Sequence, residues 1–213
     1  MITLNDFKNT IPLLIVAGAA LMIMLLETIF PKDKKHHSET AIFYFSIAAL
    51  AAAVTFSFFD LGKDFVLYYN FIRVNTLTTI LNIVLMGGIF ITVLSSKNYL
   101  EEENINHGEY YSLVFLSLLG MMLMGQSNDL ITIFVGLELM SICFYVLAGF
   151  MRKKMDSNES ALKYFLLGAF LTGFLLLGIA FIYGFTGTTN YSSISSLHPA
   201  KETFYLLGLT LVF

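Results

Sequence analysis

The chain is short of charge. Of its 213 residues only 13% are Asp, Glu, Lys or Arg, against roughly 25% in soluble domains, which excludes a water-soluble globular class. A single cysteine, Cys143, rules out an internal disulfide and any cysteine-based metal or cluster site. Four scattered histidines, His36, His37, His107 and His198, lack ligand spacing and read as solvated loop residues. No GxGxxG, GxxxxGK[ST] or HExxH pattern is present, and no Ser, His, Asp constellation. The sequence therefore offers no nucleotide, haem or flavin site, and no nucleic-acid partner is expected. A net charge of −3 says little about partners in so apolar a chain.

What the chain has instead is length without charge. Residues 9 to 26, 40 to 59, 74 to 96, 110 to 128 and 164 to 200 contain no Asp, Glu, Lys or Arg. Between Asp129 and Arg152 only Glu138 interrupts a further run. A bilayer's hydrocarbon core needs about 20 apolar residues per spanning helix. These runs predict an all-α polytopic transmembrane bundle with six complete helices, near 11–30, 41–59, 75–96, 110–127, 129–150 and 158–184. Barrel strands would be about half as long and would alternate. The opening MITLNDFKNT lacks a basic region before a small-residue cleavage site, so the first helix is expected to be retained. The terminal run TFYLLGLTLVF would rise only about 16 Å as a helix. It reads as the start of a seventh helix and the chain as a fragment.

Basic residues give an orientation. Lys32, Lys34, Lys35, Lys97, Arg152, Lys153 and Lys154 flank the loops after helices one, three and five, whereas Lys8, Lys63, Arg73 and Lys201 fall on the other side. By the positive-inside rule the amino terminus is non-cytoplasmic. Tyr68, Tyr69, Tyr99, Tyr110, Tyr111 and Tyr183 fall near the helix ends, where amphipathic rings favour the interface.

Glu138 is the residue that composition does not explain. It lies nine residues past Asp129 and twelve before Phe150, about 14 to 18 Å from either end and close to the midplane. A charge there costs between ~2.5 and 17 kcal/mol, and such residues face a protein interior or a water pathway. One reading is a proton-carrying carboxylate; the other is a protonated side chain that only hydrogen-bonds a neighbouring helix. Phe134, Val135, Ser141, Ile142 and Tyr145 share its face by helical spacing. Ser141 and Tyr145 extend a polar stripe toward the cytoplasmic end, or else are ordinary packing residues with satisfied hydroxyls.

Lys163 is the second intramembrane charge. With Ser157 as the N-cap it sits about 9 Å into helix six, near enough to snorkel. Glu159, four residues earlier, is placed for an intrahelical pair. A snorkelling, paired lysine and a proton-relay lysine both fit. Glu27 reads as interfacial. Asn75, Thr78, Thr79 and Asn82 on helix three, and the small residues Gly168, Ala169, Thr172 and Gly173 on helix six, read as packing features.

A pump needs a group that changes protonation at modest cost, and desolvation raises a carboxylate's pKa while a nearby lysine lowers it. A midplane glutamate with a basic partner that approaches and withdraws has that property. Redox chemistry needs cofactors for which these residues provide no ligands.

The stretches GLELMSICFYVLAGF, from Gly136 to Phe150, and ALKYFLLGAFLTGFLLLGIAFIYGFTGT, from Ala161 to Thr188, closely resemble the N subunit of bacterial NADH:quinone oxidoreductase, respiratory complex I. Residues 110 to 190 carry most of the resemblance. It implies a fourteen-helix antiporter-like subunit built on two inverted five-helix repeats, each with a discontinuous helix. On that basis residues 1–109 form helices one to three, and residues 110–213 the first part of the proton-translocating repeat. Glu138 matches the family's helix-five glutamate and Lys163 its helix-six lysine, both candidates for proton translocation. Family members place the amino terminus outside the cytoplasm, as the charge count does independently.

The implied function is a proton pathway coupled to electron transfer from NADH to quinone. The enzyme class, a translocase, would come from the assembly, and NADH, FMN, iron–sulfur clusters and quinone would belong to other subunits. The implied partners are other membrane subunits of complex I and the lipid bilayer, in a bacterial inner membrane. A subunit of a multi-subunit cation/proton antiporter is the alternative, since those subunits share a helix-five glutamate in different flanking sequence. A purely structural membrane scaffold is a third reading, one that leaves the cost of a midplane glutamate unexplained.

Overall fold

The computed structural model describes residues 4–29, 35–103, 108–197 and 203–212. Six of its helices are long and apolar enough to cross a membrane. They are α2 (Ile11–Ile29), α3 (Lys35–Phe59), α4 (Thr76–Glu102), α5 (Gly108–Gln126), α6 (Leu130–Ala148) and α7 (Met155–Thr186), preceded by the short α1 (Leu4–Lys8) and followed by α8 (Tyr191–Ser196) and α9 (Thr203–Val212). Each expected span falls on one of the six.

The helices run further than their uncharged segments. α3 begins at Lys35, not near 41, α4 continues to Glu102 past 96, and α7 begins at Met155 and not 158. Charge marks the edge of the hydrocarbon, whereas helical hydrogen bonding continues into the polar interface. His36 and His37 consequently stand in the first turn of α3 and not in a loop. His107 and His198 lie outside the described residues.

At one end of the bundle the chain between α3 and α4 forms a hairpin, β1 (Phe65–Leu67) and β2 (Ile72–Val74), in the register Phe65 to Val74 and Leu67 to Ile72. An all-helical expectation missed these strands, which are too short to give an alternating pattern. Exposed Arg73 clasps Asp64 across the hairpin's base through Nε to Oδ1 at 3.1 Å and Nη2 to Oδ2 at 2.7 Å. The guanidinium holds the Asp64 carboxyl below its ordinary range.

The turn contains three consecutive left-handed residues, Tyr68, Tyr69 and Asn70, with φ of 51°, 56° and 74°. That conformation costs roughly 1–2 kcal/mol for each non-glycine residue. Asn70 shows what offsets it. Its side-chain amide donates to Asn190 Oδ1 at 2.9 Å and its side-chain oxygen accepts from Asn128 Nδ2 at 2.7 Å. Asn190 Nδ2 donates back to the Asn70 carbonyl at 2.8 Å and to that of Asn128 at 3.1 Å. The three asparagines tie the hairpin, the α5–α6 connector and the segment after α7 into one knot.

The main core lies among α2, α3, α4 and α5, where Val16, Ala20, Ile23, Leu50, Met86, Val93, Phe115, Leu118 and Met122 are buried. α5 is the most enclosed of the six spans, with half of its apolar window buried. Ser112 fixes it to α2 by donating to the Ala20 carbonyl at 3.0 Å. A second core gathers Leu130, Ile179, Ile182 and Ile194 from α6, α7 and α8. α7 and α9 meet where a Cβ on Gly178 would stand 2.8 Å from the Gly208 carbonyl oxygen. Elsewhere α7 presents Leu166, Leu167, Phe170 and Leu171 outward, as a lipid- or helix-facing surface requires.

Candidate functional site

Glu138 is positioned from the start of its helix. Asp129 is the N-cap of α6, its Oδ1 accepting from the backbone N–H groups of Ile131 at 2.9 Å and Thr132 at 3.3 Å. Its other oxygen accepts from the Thr189 hydroxyl at 2.5 Å, while Leu130 N–H donates to the Thr189 carbonyl at 2.9 Å. A carboxylate only 1% exposed is thus held by three donors, and the helix that carries Glu138 is bolted to the segment after α7. The helix start at Asp129 is legible in the sequence, whereas the bond to Thr189 is not. A cap is a local signal; its partner sixty residues away is not.

Rotation about the helix axis is set by a second contact. α5 and α6 cross at Gly120 and Gly136, so closely that a Cβ on either would fall under 3 Å from the other's carbonyl oxygen. Gly136 precedes Glu138 by two residues. Isolated glycines in helical runs were visible in the sequence, but their pairing depends on the tertiary crossing.

Glu138 lies eight residues past Leu130 and ten before Ala148, about 12 and 15 Å from the two helix ends. It is half-buried, with buried Ser141 on one side of it around the helix and exposed Val135 and Ile142 on the other. Among the described residues it makes no hydrogen bond and no ion pair.

Lys163 is exposed on α7 and pairs with Glu159 of its own helix. Ser157 does not cap this helix. Lys154 is the N-cap residue, without a side-chain cap bond, and the Ser157 hydroxyl donates to the Ala148 carbonyl at 2.7 Å, closing the α6–α7 turn. The structure does not bring Lys163 and Glu138 together. Gly149 packs at Ala161 and Tyr145 at Gly168, which makes α6 and α7 antiparallel and separates the levels of Glu138 and Lys163 by about 14–18 Å along the axis.

Tyr145 occupies the space between those levels. Its ring stands edge-on to Tyr164 at 4.9 Å and to Phe165 at 5.7 Å. A side chain at position 168 would overlap its hydroxyl, and a Cβ there would come within 2.6 Å of Cζ. Gly168 therefore admits a phenol, not a neighbouring helix backbone as its small-residue pattern suggested. Gly173 has nothing within 4 Å.

The polar arc on α4 divides. Asn75 and Thr78 form a reciprocal capping box, each side chain accepting from the other's backbone N–H at 2.9 Å. Thr79 and Asn82 point into the bundle, both 2% exposed, and Thr79 Oγ1 and Asn82 Oδ1 lack hydrogen-bond partners. Glu27 sits against the start of α5, where a Cβ on Gly108 would stand 2.7 Å from its Oε2. At the α6–α7 turn Lys154 reaches Glu103 at 2.7 Å, and that carboxylate holds the ammonium above the usual lysine range. Among the described residues no group of three or more His, Cys, Asp or Glu side chains gathers in a way that could hold a metal.

Six apolar spans, one of them carrying a carboxylate near its middle and locked at its start and at its crossing, define a class: a multi-pass membrane helix bundle. Comparison with known proteins gives the family. Residues 127–213 match the family described as NADH:quinone oxidoreductase/Mrp antiporter, TM. Over 212 residues, 98% of the chain, it is 40% identical to NADH-quinone oxidoreductase subunit N 1 of Chloroherpeton thalassium, covering 43% of that protein. Over 205 residues, 94% of the chain, it is 38% identical to subunit N of Trichlorobacter lovleyi, covering 41% of that protein.

Among solved structures, respiratory complex I from Thermus thermophilus with bound aureothin superposes with a TM-score of 0.77 at 27% identity, over 94% of this chain and 42% of the matched one. An archaeal membrane-bound sulfane sulfur reductase shares the fold alone, with a TM-score of 0.81 at 22% identity over 96% of this chain and 43% of the matched one. The chain belongs to the antiporter-like membrane subunit family, and the two relatives just described are N subunits of NADH-quinone oxidoreductase. It is a multi-pass membrane protein and spans less than half the length of the curated relatives it matches.

Proposed function

We propose that this chain is the amino-terminal part of a proton-translocating membrane subunit of NADH:quinone oxidoreductase, and that Glu138 is its protonatable coupling residue. One observation carries the reading. Glu138 stands near the middle of a capped, close-packed helix, half-buried and with no partner among the described residues. A structural carboxylate at that depth would be expected to have its hydrogen bonds satisfied. An acid that must change protonation is better left adjustable.

Electron transfer from NADH to quinone then belongs to other subunits of the complex, with the FMN and iron–sulfur clusters it needs. Residues 1–109 form the supporting helices and 110–213 the first part of the proton-translocating repeat. Lys163 acts by electrostatic influence over distance, since its ammonium is held by Glu159. The assembly lies in a bacterial inner membrane with the amino terminus on the non-cytoplasmic side. On that assignment the basic α6–α7 turn, from Arg152 to Lys154, faces the cytoplasm.

The test is Glu138→Gln in the full-length subunit, assembled with its partners in membrane vesicles. NADH oxidation and proton uptake are measured together. Proton uptake should fall severalfold, and normal uptake per NADH would remove Glu138 from the mechanism. Purification of the full-length protein without redox partners, together with sodium-dependent proton exchange, would move the function to cation/proton antiport.

A further inference from the structure

We infer that the Tyr145 hydroxyl passes protons between the level of Glu138 and the level of Lys163, and that Gly168 makes the space in which it does so. This inference rests on the proton-translocation reading above.

The geometry starts from the gap. Glu138 and Lys163 are too far apart to exchange a proton directly, being separated by about 14–18 Å along the helices. Tyr145 is two turns from Glu138 on the same face of α6, and buried Ser141 lies one turn from each. Side chains tilt toward the start of their helix, so the Tyr145 ring leans back toward Glu138. Its other side rests on Tyr164, the residue after Lys163.

The second observation is the hydroxyl itself. Among the described residues it makes no hydrogen bond, yet it is seated in a notch on α7 that any side chain at 168 would fill. An unsatisfied hydroxyl at membrane depth is unfavourable. A phenylalanine would keep both edge-on ring contacts without that cost. A phenol placed there needs a polar partner that comes and goes, and water or a protonated acid meets the requirement.

The step balances without any co-reactant. A phenol is both donor and acceptor. Its oxygen takes a proton from a protonated donor on one side as it gives its own O–H proton to an acceptor on the other. One O–H bond breaks as another forms, and no electron is transferred.

The experiment compares three variants of the full-length subunit in the assembled complex. Tyr145→Phe removes only the hydroxyl, Gly168→Ala pushes it out of its notch, and Phe165→Leu disturbs the ring contact while leaving the hydroxyl. The readouts are proton uptake per NADH and the solvent deuterium isotope effect on uptake. Tyr145→Phe and Gly168→Ala should each lower uptake at least threefold and change the isotope effect, the double variant should be no worse than the poorer single one, and Phe165→Leu should behave as wild type. Wild-type uptake and isotope effect in Tyr145→Phe would overturn the inference, and so would equal losses in Tyr145→Phe and Phe165→Leu. Glu138→Gln in the same assay separates the two levels. If it loses uptake while Tyr145→Phe does not, only the relay fails; if it keeps normal uptake, the underlying function fails.

Discussion

Gly120 and Gly136 stand face to face where α5 crosses α6: a Cβ on Gly120 would lie 2.6 Å from the Gly136 carbonyl oxygen, and a Cβ on Gly136 would lie 2.8 Å from the Gly120 carbonyl oxygen. Both obstructing atoms are backbone, so no rotamer change relieves the overlap. Gly136→Ala or Gly120→Ala must separate the two helices, at a cost of about 1–3 kcal/mol. Because Glu138 follows Gly136 by two residues, the shift also moves the acid. A lowered melting temperature in detergent, together with reduced proton uptake, is the expected result. An unchanged melting temperature would show that the crossing is looser than this.

Asp129 holds the same helix at its start. Asp129→Ala removes the cap of α6 and the acceptor for Thr189, leaving buried N–H and hydroxyl donors unpaired. The expected loss is about 2–4 kcal/mol, combining a lost cap with an unsatisfied buried hydrogen bond. Asp129→Asn keeps a side-chain oxygen that can still cap and should cost less than half as much. Thermal unfolding of the two variants side by side checks the order, and equal losses would mean that the charge, not the cap, matters.

The helices were legible because a run of some twenty uncharged residues has one stable form in a bilayer, and Glu138 was legible because it breaks such a run. Asp129 was readable as a helix start for the same local reason. What remained hidden depends on contacts between distant segments. The Thr189 bond, the Gly120–Gly136 crossing and the Asn70, Asn128 and Asn190 knot each join residues whose relation appears only once the helices have packed. Lys163 shows both cases. Its pairing with Glu159 follows from the four-residue spacing, but its distance from Glu138 follows from how α7 lies against α6.

Asn70 offers a test of that hidden layer. It is left-handed, with φ of 74°, and it also supplies the side chain at the centre of the amide knot. Asn70→Gly relieves the backbone cost but loses the side-chain bonds, whereas Asn70→Ala loses the bonds and keeps the strain. Alanine should be the more destabilising by roughly 1 kcal/mol. Limited proteolysis in the connection between α3 and α4 would report it, with faster cleavage in the alanine variant. Equal cleavage of the two would mean that the knot alone fixes this turn.

Thr78 and Thr79 are neighbours whose hydroxyls have opposite circumstances, and replacing each by valine should give effects of opposite sign. Thr78 Oγ1 accepts from the Asn75 backbone N–H at 2.9 Å and completes the capping box. Thr78→Val breaks that exchange at the start of α4 and should cost about 1 kcal/mol. The Thr79 hydroxyl is buried with no partner, on a residue 2% exposed. Valine has nearly the same shape without the unsatisfied group, and removing a buried unpaired hydroxyl is favourable by up to roughly 1–2 kcal/mol. Thermal unfolding in detergent should therefore show Thr78→Val below wild type and Thr79→Val at or above it. A clear loss of stability in Thr79→Val would mean that its hydroxyl is satisfied in the folded protein.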